Sequence, residues 1–75
     1  GIELVGFVLK NADLSGSNLT GANLSRVDLT EANLINANLT DANLTDANLV
    51  GAILIDTKLT NTNLSGVKLS YSNIK

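Results

Sequence analysis

Leucine recurs at every fifth position of this chain from Leu4 to Leu69, and Ile74 closes the series. No leucine lies off that register, and fifteen unbroken pentads account for all 75 residues. Self-similarity at a fixed period constrains a fold more strongly than local propensity does. In an α-helix, each step of five residues turns about 500°, so successive leucines would drift by about 140° and cover every face. In a straight strand five is odd, so successive leucines would point to opposite faces. Neither regular element buries the series. A short extended piece followed by a corner, repeated each pentad, does.

The other positions fit that unit. The residue two before each leucine is alanine in seven of fifteen pentads and never charged. Positions two apart share one face of an extended strand, so this small residue and the leucine point inward together. The residue between them points outward and is Asn or Asp in ten of fifteen pentads. The remaining two residues make the corner. Gly1, Gly6, Gly16, Gly21, Gly51 and Gly66 all stand immediately before the small inward residue, where a turn needs permissive dihedrals. All twelve charged residues fall in outward or corner positions. The expected core is therefore Leu14, Leu19, Leu24, Leu29, Leu34, Leu39, Leu44, Leu49, Leu54, Leu59 and Leu64, with Phe7 and Val27 among the inward companions.

The segments ADLSG (12–16), ANLSR (22–26), ANLTD (37–41 and 42–46) and ANLVG (47–51) resemble the pentapeptide-repeat family, and the likeness runs the whole chain. The resemblance implies an all-β solenoid, a right-handed quadrilateral β-helix with four pentads per coil. On that geometry residues 1–75 form a single domain of about 3.75 coils, complete or excised from a longer chain. Residues twenty apart then stack on one of four faces. Outward Glu3, Asn23, Asn43 and Asn63 share the first, and Val8, Asp28, Asn48 and Lys68 the second. Asp13, Asn33, Ile53 and Asn73 share the third, and Asn18, Asn38 and Lys58 the fourth. Stacked asparagines can form side-chain ladders along the axis; their rows read either as a binding surface or, the favoured reading, as groups that satisfy one another and the turn backbone. Phe7 and Ile2 are expected to plug the N-terminal coil, with Phe7 over Val27. The last coil shows no cap and is expected to pair end to end with a second copy, to meet a partner, or to continue into further chain.

Composition narrows the function. There is no His to serve as ligand or general base, and no Cys for thiolate or disulfide chemistry. Nine of the residues that follow the leucines are Ser or Thr, but nothing is present to activate a hydroxyl. The carboxylates are outward on a convex rod, and a period of five lacks the nonapeptide cage that binds calcium. No catalytic, cofactor or metal residue is assigned. A net charge of -2 and two aromatics, Phe7 and Tyr71, argue against direct binding of nucleic acid. No apolar run is long enough to insert in a membrane. The start, GIELVGFVLK, lacks the form of a signal peptide, although a chain whose leader was removed would look the same. Bacterial cytoplasm is favoured, with periplasm or thylakoid lumen as alternatives.

What remains is a non-catalytic interaction or scaffold module that offers a rigid β surface to a protein partner. The pattern breaks on one side. Ile35, Ile53 and Ile55 are apolar at solvent-facing positions of the third face, Val50 lies just before it, and Tyr71 enters its last coil. Such a patch marks either partner contact or β-branched fill of a strand surface. The alternative function follows from the resemblance, because some family members protect DNA gyrase by imitating duplex DNA. A mimic needs acidic rows along the rod. Here Glu31, Asp41, Asp46 and Asp56 fall on four different corners, and Arg26 shares a corner with Asp46.

Overall fold

The computed structural model describes residues 1–75 and shows a chain wound into stacked square coils. Every inter-coil pairing is parallel with a register of twenty residues: Glu3 with Asn23, Val8 with Asp28, Asp13 with Asn33, Asn18 with Asn38, and onward in the same step. The four faces are therefore those set by the pentad period. Only Ile53–Leu54 and Asn73–Ile74 lengthen into two-residue strands, β1 and β2, which pair in parallel. Elsewhere a corner follows each leucine too soon for a longer strand.

Each pentad with a coil on both sides spends its backbone groups in the same way. In the central coil the Leu24 N–H donates to the Asn43 carbonyl at 2.7 Å, and the Arg26 N–H to the Thr45 carbonyl at 2.8 Å. The Asn43 N–H donates back to the Ala22 carbonyl at 2.9 Å. The fourth bond closes the corner, with the Val27 N–H donating to the Leu24 carbonyl at 3.1 Å. The third residue of each such turn has a positive φ, as in a type II turn. Glycine suits it, yet Arg26, Glu31 and Tyr71 also adopt it, at φ 56°, 58° and 61°. Sterics disfavour that conformation for them, and repeated inter-coil bonding holds it.

The inward pairs form one continuous core. Leu24, Leu29, Leu34, Leu39, Leu44 and Leu49 are fully enclosed, with Val27 and six alanines between them. Leu19 and Leu54 are also buried. Four of the expected core residues sit differently. Leu14 and Leu59 are only partly buried. Phe7 is 52% exposed and Leu64 36% exposed. The cause is common to all four: an inward side chain is enclosed only when coils lie on both sides of it, and the end coils have a neighbour on one side. Phe7 keeps its place in the stack, since the Asp28 N–H donates to its carbonyl at 2.9 Å, but its side chain is not enclosed.

Hydroxyls at inward positions are satisfied by corner carbonyls. Ser17 Oγ donates to the Leu14 carbonyl at 2.6 Å, and Thr62 Oγ1 reaches the Leu39 carbonyl of the preceding coil at 2.7 Å. Thr57 Oγ1 likewise reaches the Leu34 carbonyl. No buried side-chain polar atom is left without a partner, so Ser and Thr replace Ala in the lining without a desolvation penalty.

Candidate interaction surface

The outward asparagines and aspartates have a local task. Oδ1 of Asn38 accepts the Thr40 N–H at 3.0 Å and the Thr40 hydroxyl at 2.6 Å. Asn18 with Thr20, and Asn43 with Thr45, repeat the pair of bonds. Asn33 and Asn48 accept only the backbone N–H of Ile35 and Val50, which carry no hydroxyl. These are Asx turns, in which the side-chain oxygen caps the chain two residues on. The task needs only an acceptor, which explains why Asn and Asp alternate freely. The side-chain oxygens thus turn inward on their own pentads, and no side-chain hydrogen bond links asparagines of different coils.

Two carboxylates carry a charge-dependent version. The Ser15 hydroxyl donates to Asp13 at 2.6 Å and its N–H donates at 3.1 Å. First the hydroxyl and then the backbone bond hold the Asp13 carboxyl below its ordinary value, outweighing slight desolvation. Asp28 is lowered in the same way by the Thr30 hydroxyl and then its N–H, with a smaller attraction from Lys10.

Against this uniform wall, the apolar breaks are placed as follows. Ile35 and Ile55 occupy one column, with the Asn36 N–H donating to the Ile55 carbonyl at 3.1 Å. Ile53 sits in the adjacent outward column between Asn33 and Asn73. Val50 lies round the corner, its carbonyl accepting from the Glu31 N–H at 2.8 Å. Ile35, Val50, Ile53 and Ile55 are all half-buried, because stacked coils shield the flanks of an outward side chain. Tyr71 is different: at 93% exposure it projects from the corner one coil beyond Gly51. The bare backbone of Gly51 lies beneath Glu31, whose Cγ would stand 3.0 Å from an added Cβ. The structure thus groups three isoleucines on one face, with Val50 and Tyr71 at its leading edge. Sequence reasoning did not single out Glu31 as the acidic member of that edge, although its place twenty residues before Gly51 was readable.

Replacing Asn has a backbone consequence. With Ile53, Lys58 and Lys68 in the outward position, the N–H groups of Ile55, Thr60 and Ser70 have no Asx acceptor. The surface carries no cavity, and no group of acidic residues is arranged to hold a metal ion. No helix is long and apolar enough to cross a membrane.

A coil of four Leu-centred pentads, with Asx-capped outward positions and a solid aliphatic core, defines a class of β-solenoid. The chain belongs to the pentapeptide-repeat family: the family model "Pentapeptide repeats (8 copies)" matches residues 8–46 and 37–75. Its fold is similar to a pentapeptide repeat protein from the cyanobacterium Cyanothece 51142, at 40% identity and TM-score 0.97, over 99% of this chain and 51% of the other. It is also similar to a thylakoid-lumen pentapeptide repeat protein of Arabidopsis thaliana, at 31% identity and TM-score 0.97, over 100% of this chain and 52% of the other. The fluoroquinolone resistance protein QnrB1 shares the fold at 17% identity and TM-score 0.55, over 91% of this chain and 38% of that one. The chain spans about half the length of the first two structures. A comparison with curated protein sequences returned no match.

Proposed function

We propose that this chain is a non-catalytic interaction module whose third face, with Ile35, Ile53 and Ile55, contacts a protein partner, with Val50 and Tyr71 at the edge of the contact. One observation carries the reading. Ile53 stands where an Asn would cap the turn, so the Ile55 N–H goes without the Asx bond that other pentads make. An exposed turn bond contributes about 0.5–1.5 kcal/mol, and the chain forgoes it at Ile53 for an apolar side chain that the stacked coils only half cover. Natural chains give up stability in this way at sites of function. A convex rod without a cavity suits surface contact and gives a substrate no enclosure.

The gyrase-protecting, DNA-mimic reading has less support. The corner acids occupy four separate columns, so no continuous acidic row runs along the axis. Likeness to QnrB1 extends to the fold alone.

The test compares capture by the intact chain with capture by Ile35→Thr, Ile53→Asn, Ile55→Thr. The variant is expected to stay folded, because the core is untouched and the introduced asparagine regains the turn bond, and to lose the captured protein. Unchanged capture by a folded variant removes the third face from consideration. Protection of gyrase supercoiling at low micromolar chain would favour the mimic.

A further inference from the structure

We propose that the occupant of the third face is a cationic, apolar segment of another protein, laid along the coil. Its apolar side chains meet Ile35, Ile53 and Ile55, and a basic side chain on each side of them meets Glu31 or Asp56. This rests on the third face being the contact surface, and the charge of that face then selects the occupant. Asp13, Glu31 and Lys75 belong to its pentads, and Asp56 is the corner residue that follows Ile55. The chain's other four acids are matched by its other four bases, so the net charge of -2 resides on the side that bears the isoleucines. Asp13, Glu31, Asp56 and Lys75 are all exposed. Lys10 stands two coils before Val50 and attracts Asp28, on the second face. Lys58 belongs to the fourth face, round the corner from Asp56.

The two acids of the middle coils bracket the apolar residues. Glu31 stands at the corner that opens the face, its Cγ 3.0 Å from the place of a Cβ on Gly51. Asp56 stands at the corner that closes it, where its N–H donates to the Lys75 carbonyl at 3.0 Å. Residues 51–56 run from one corner to the other, a span of less than about 18 Å. The isoleucines lie between, each with coils on both sides. Ile53 sits between Asn33 and Asn73, and the Ile35 carbonyl accepts from the Gly16 N–H at 2.8 Å. The Ile55 N–H adds an unpaired donor among them. A purely apolar occupant would cover that donor and crowd both carboxylates without pairing any of them, which is costly. An acidic occupant, duplex DNA included, meets two like charges. A segment with a peptide carbonyl over the Ile55 N–H and cations at both corners satisfies all three groups. In an extended segment, residues two apart share a face, so Lys-Thr-Ile-Thr-Ile-Thr-Lys presents two isoleucines between two lysines on one side.

Amide chemical-shift titration of the isotope-labelled 75-residue chain tests this with that peptide, blocked at both ends, and with its twin carrying Glu for Lys. The lysine peptide is expected to shift the amides of Ile35, Ile53 and Ile55, and to bind more weakly in added salt. The glutamate twin is expected to bind at least about threefold more weakly, as the loss of two exposed charge pairs does. Glu31→Gln, Asp56→Asn is expected to weaken the lysine peptide by a similar factor and to leave the twin no weaker. Both replacements are compatible with the fold: Gln keeps the Cγ over Gly51, and Asn suits the φ of 58° at position 56. Equal binding of the two peptides, lost in Ile35→Thr, Ile53→Asn, Ile55→Thr, overturns the cationic occupant and leaves the third face as the contact surface. Binding that this isoleucine variant retains, or shifts confined to another face, overturns both. No shift with either peptide overturns the cationic occupant, as do isoleucine shifts that grow with protein concentration alone, which assign the face to a second copy.

Discussion

At the scale of the residue, a single outward side chain does more here than cover a strand. Asp13 and Asp28 close their turns as charged acceptors, and the bonds from Ser15 and Thr30 lower both carboxyls below 3.8. A group whose folded value is depressed binds protons more weakly when folded than when unfolded. The stabilisation is therefore complete above the ordinary value of 3.8 and is lost as pH falls through the lower folded values. The neutral Asn caps at the other turns have no such dependence. In urea denaturation the parent is expected to lose stability between about pH 5 and about pH 2, and Ser15→Ala, Thr30→Val is expected to flatten that loss. Both carboxylates lie at the surface, so the effect is small and screened. An identical acid profile in parent and variant would show that these bonds do not hold the carboxyls down. The direction of every side chain followed from the period, but the bonds did not. A column of asparagines permits ladders or caps equally, and only the backbone path places Oδ1 within reach of the N–H two residues on.

At the scale of the pentad, inward and outward are two environments separated by one bond. Leu39 is fully enclosed, while Asn38 beside it faces outward and caps Thr40. Leu39→Asp puts an unpaired carboxylate in the middle of the core, a cost of several kcal/mol that a chain of this size does not absorb. Asn38→Asp keeps the acceptor and is expected to shift stability by less than about 1 kcal/mol. Far-UV circular dichroism with thermal melting separates the two outcomes, and comparable damage at both positions would overturn the assignment of faces. This much of the element was legible, because a period of five admits no other way to bury the leucines. The cover on outward positions was not. Ile35, Ile53 and Ile55 read as exposed from their register, yet stacked neighbours shade them to half-burial. Periodicity gives the direction of a side chain, and the spacing between coils decides how much water reaches it.

At the scale of the whole molecule, the rod is nearly as wide as it is long, at 27 × 21 × 20 Å, so its ends claim a large share of the fold. Repeat proteins draw stability from contact between neighbours, and a coil with one neighbour holds its leucines less firmly than a coil with two. The same residue type thus carries different weight along the axis. Leu39 is fully enclosed, while Leu69 is exposed on its outer side. Leu39→Ala is expected to cost about 2–5 kcal/mol through lost burial and an enclosed cavity. Leu69→Ala opens no closed cavity and is expected to cost less than about 1 kcal/mol. Native-state hydrogen exchange should follow the same gradient. The Leu39 amide, bonded to the Lys58 carbonyl, is expected to open only with the global transition, while the amides of Leu64 and Leu69, unpaired in this 75-residue chain, exchange freely. Equal costs at the two leucines, or uniform protection along the axis, would mean that the coils do not act as stacked neighbours.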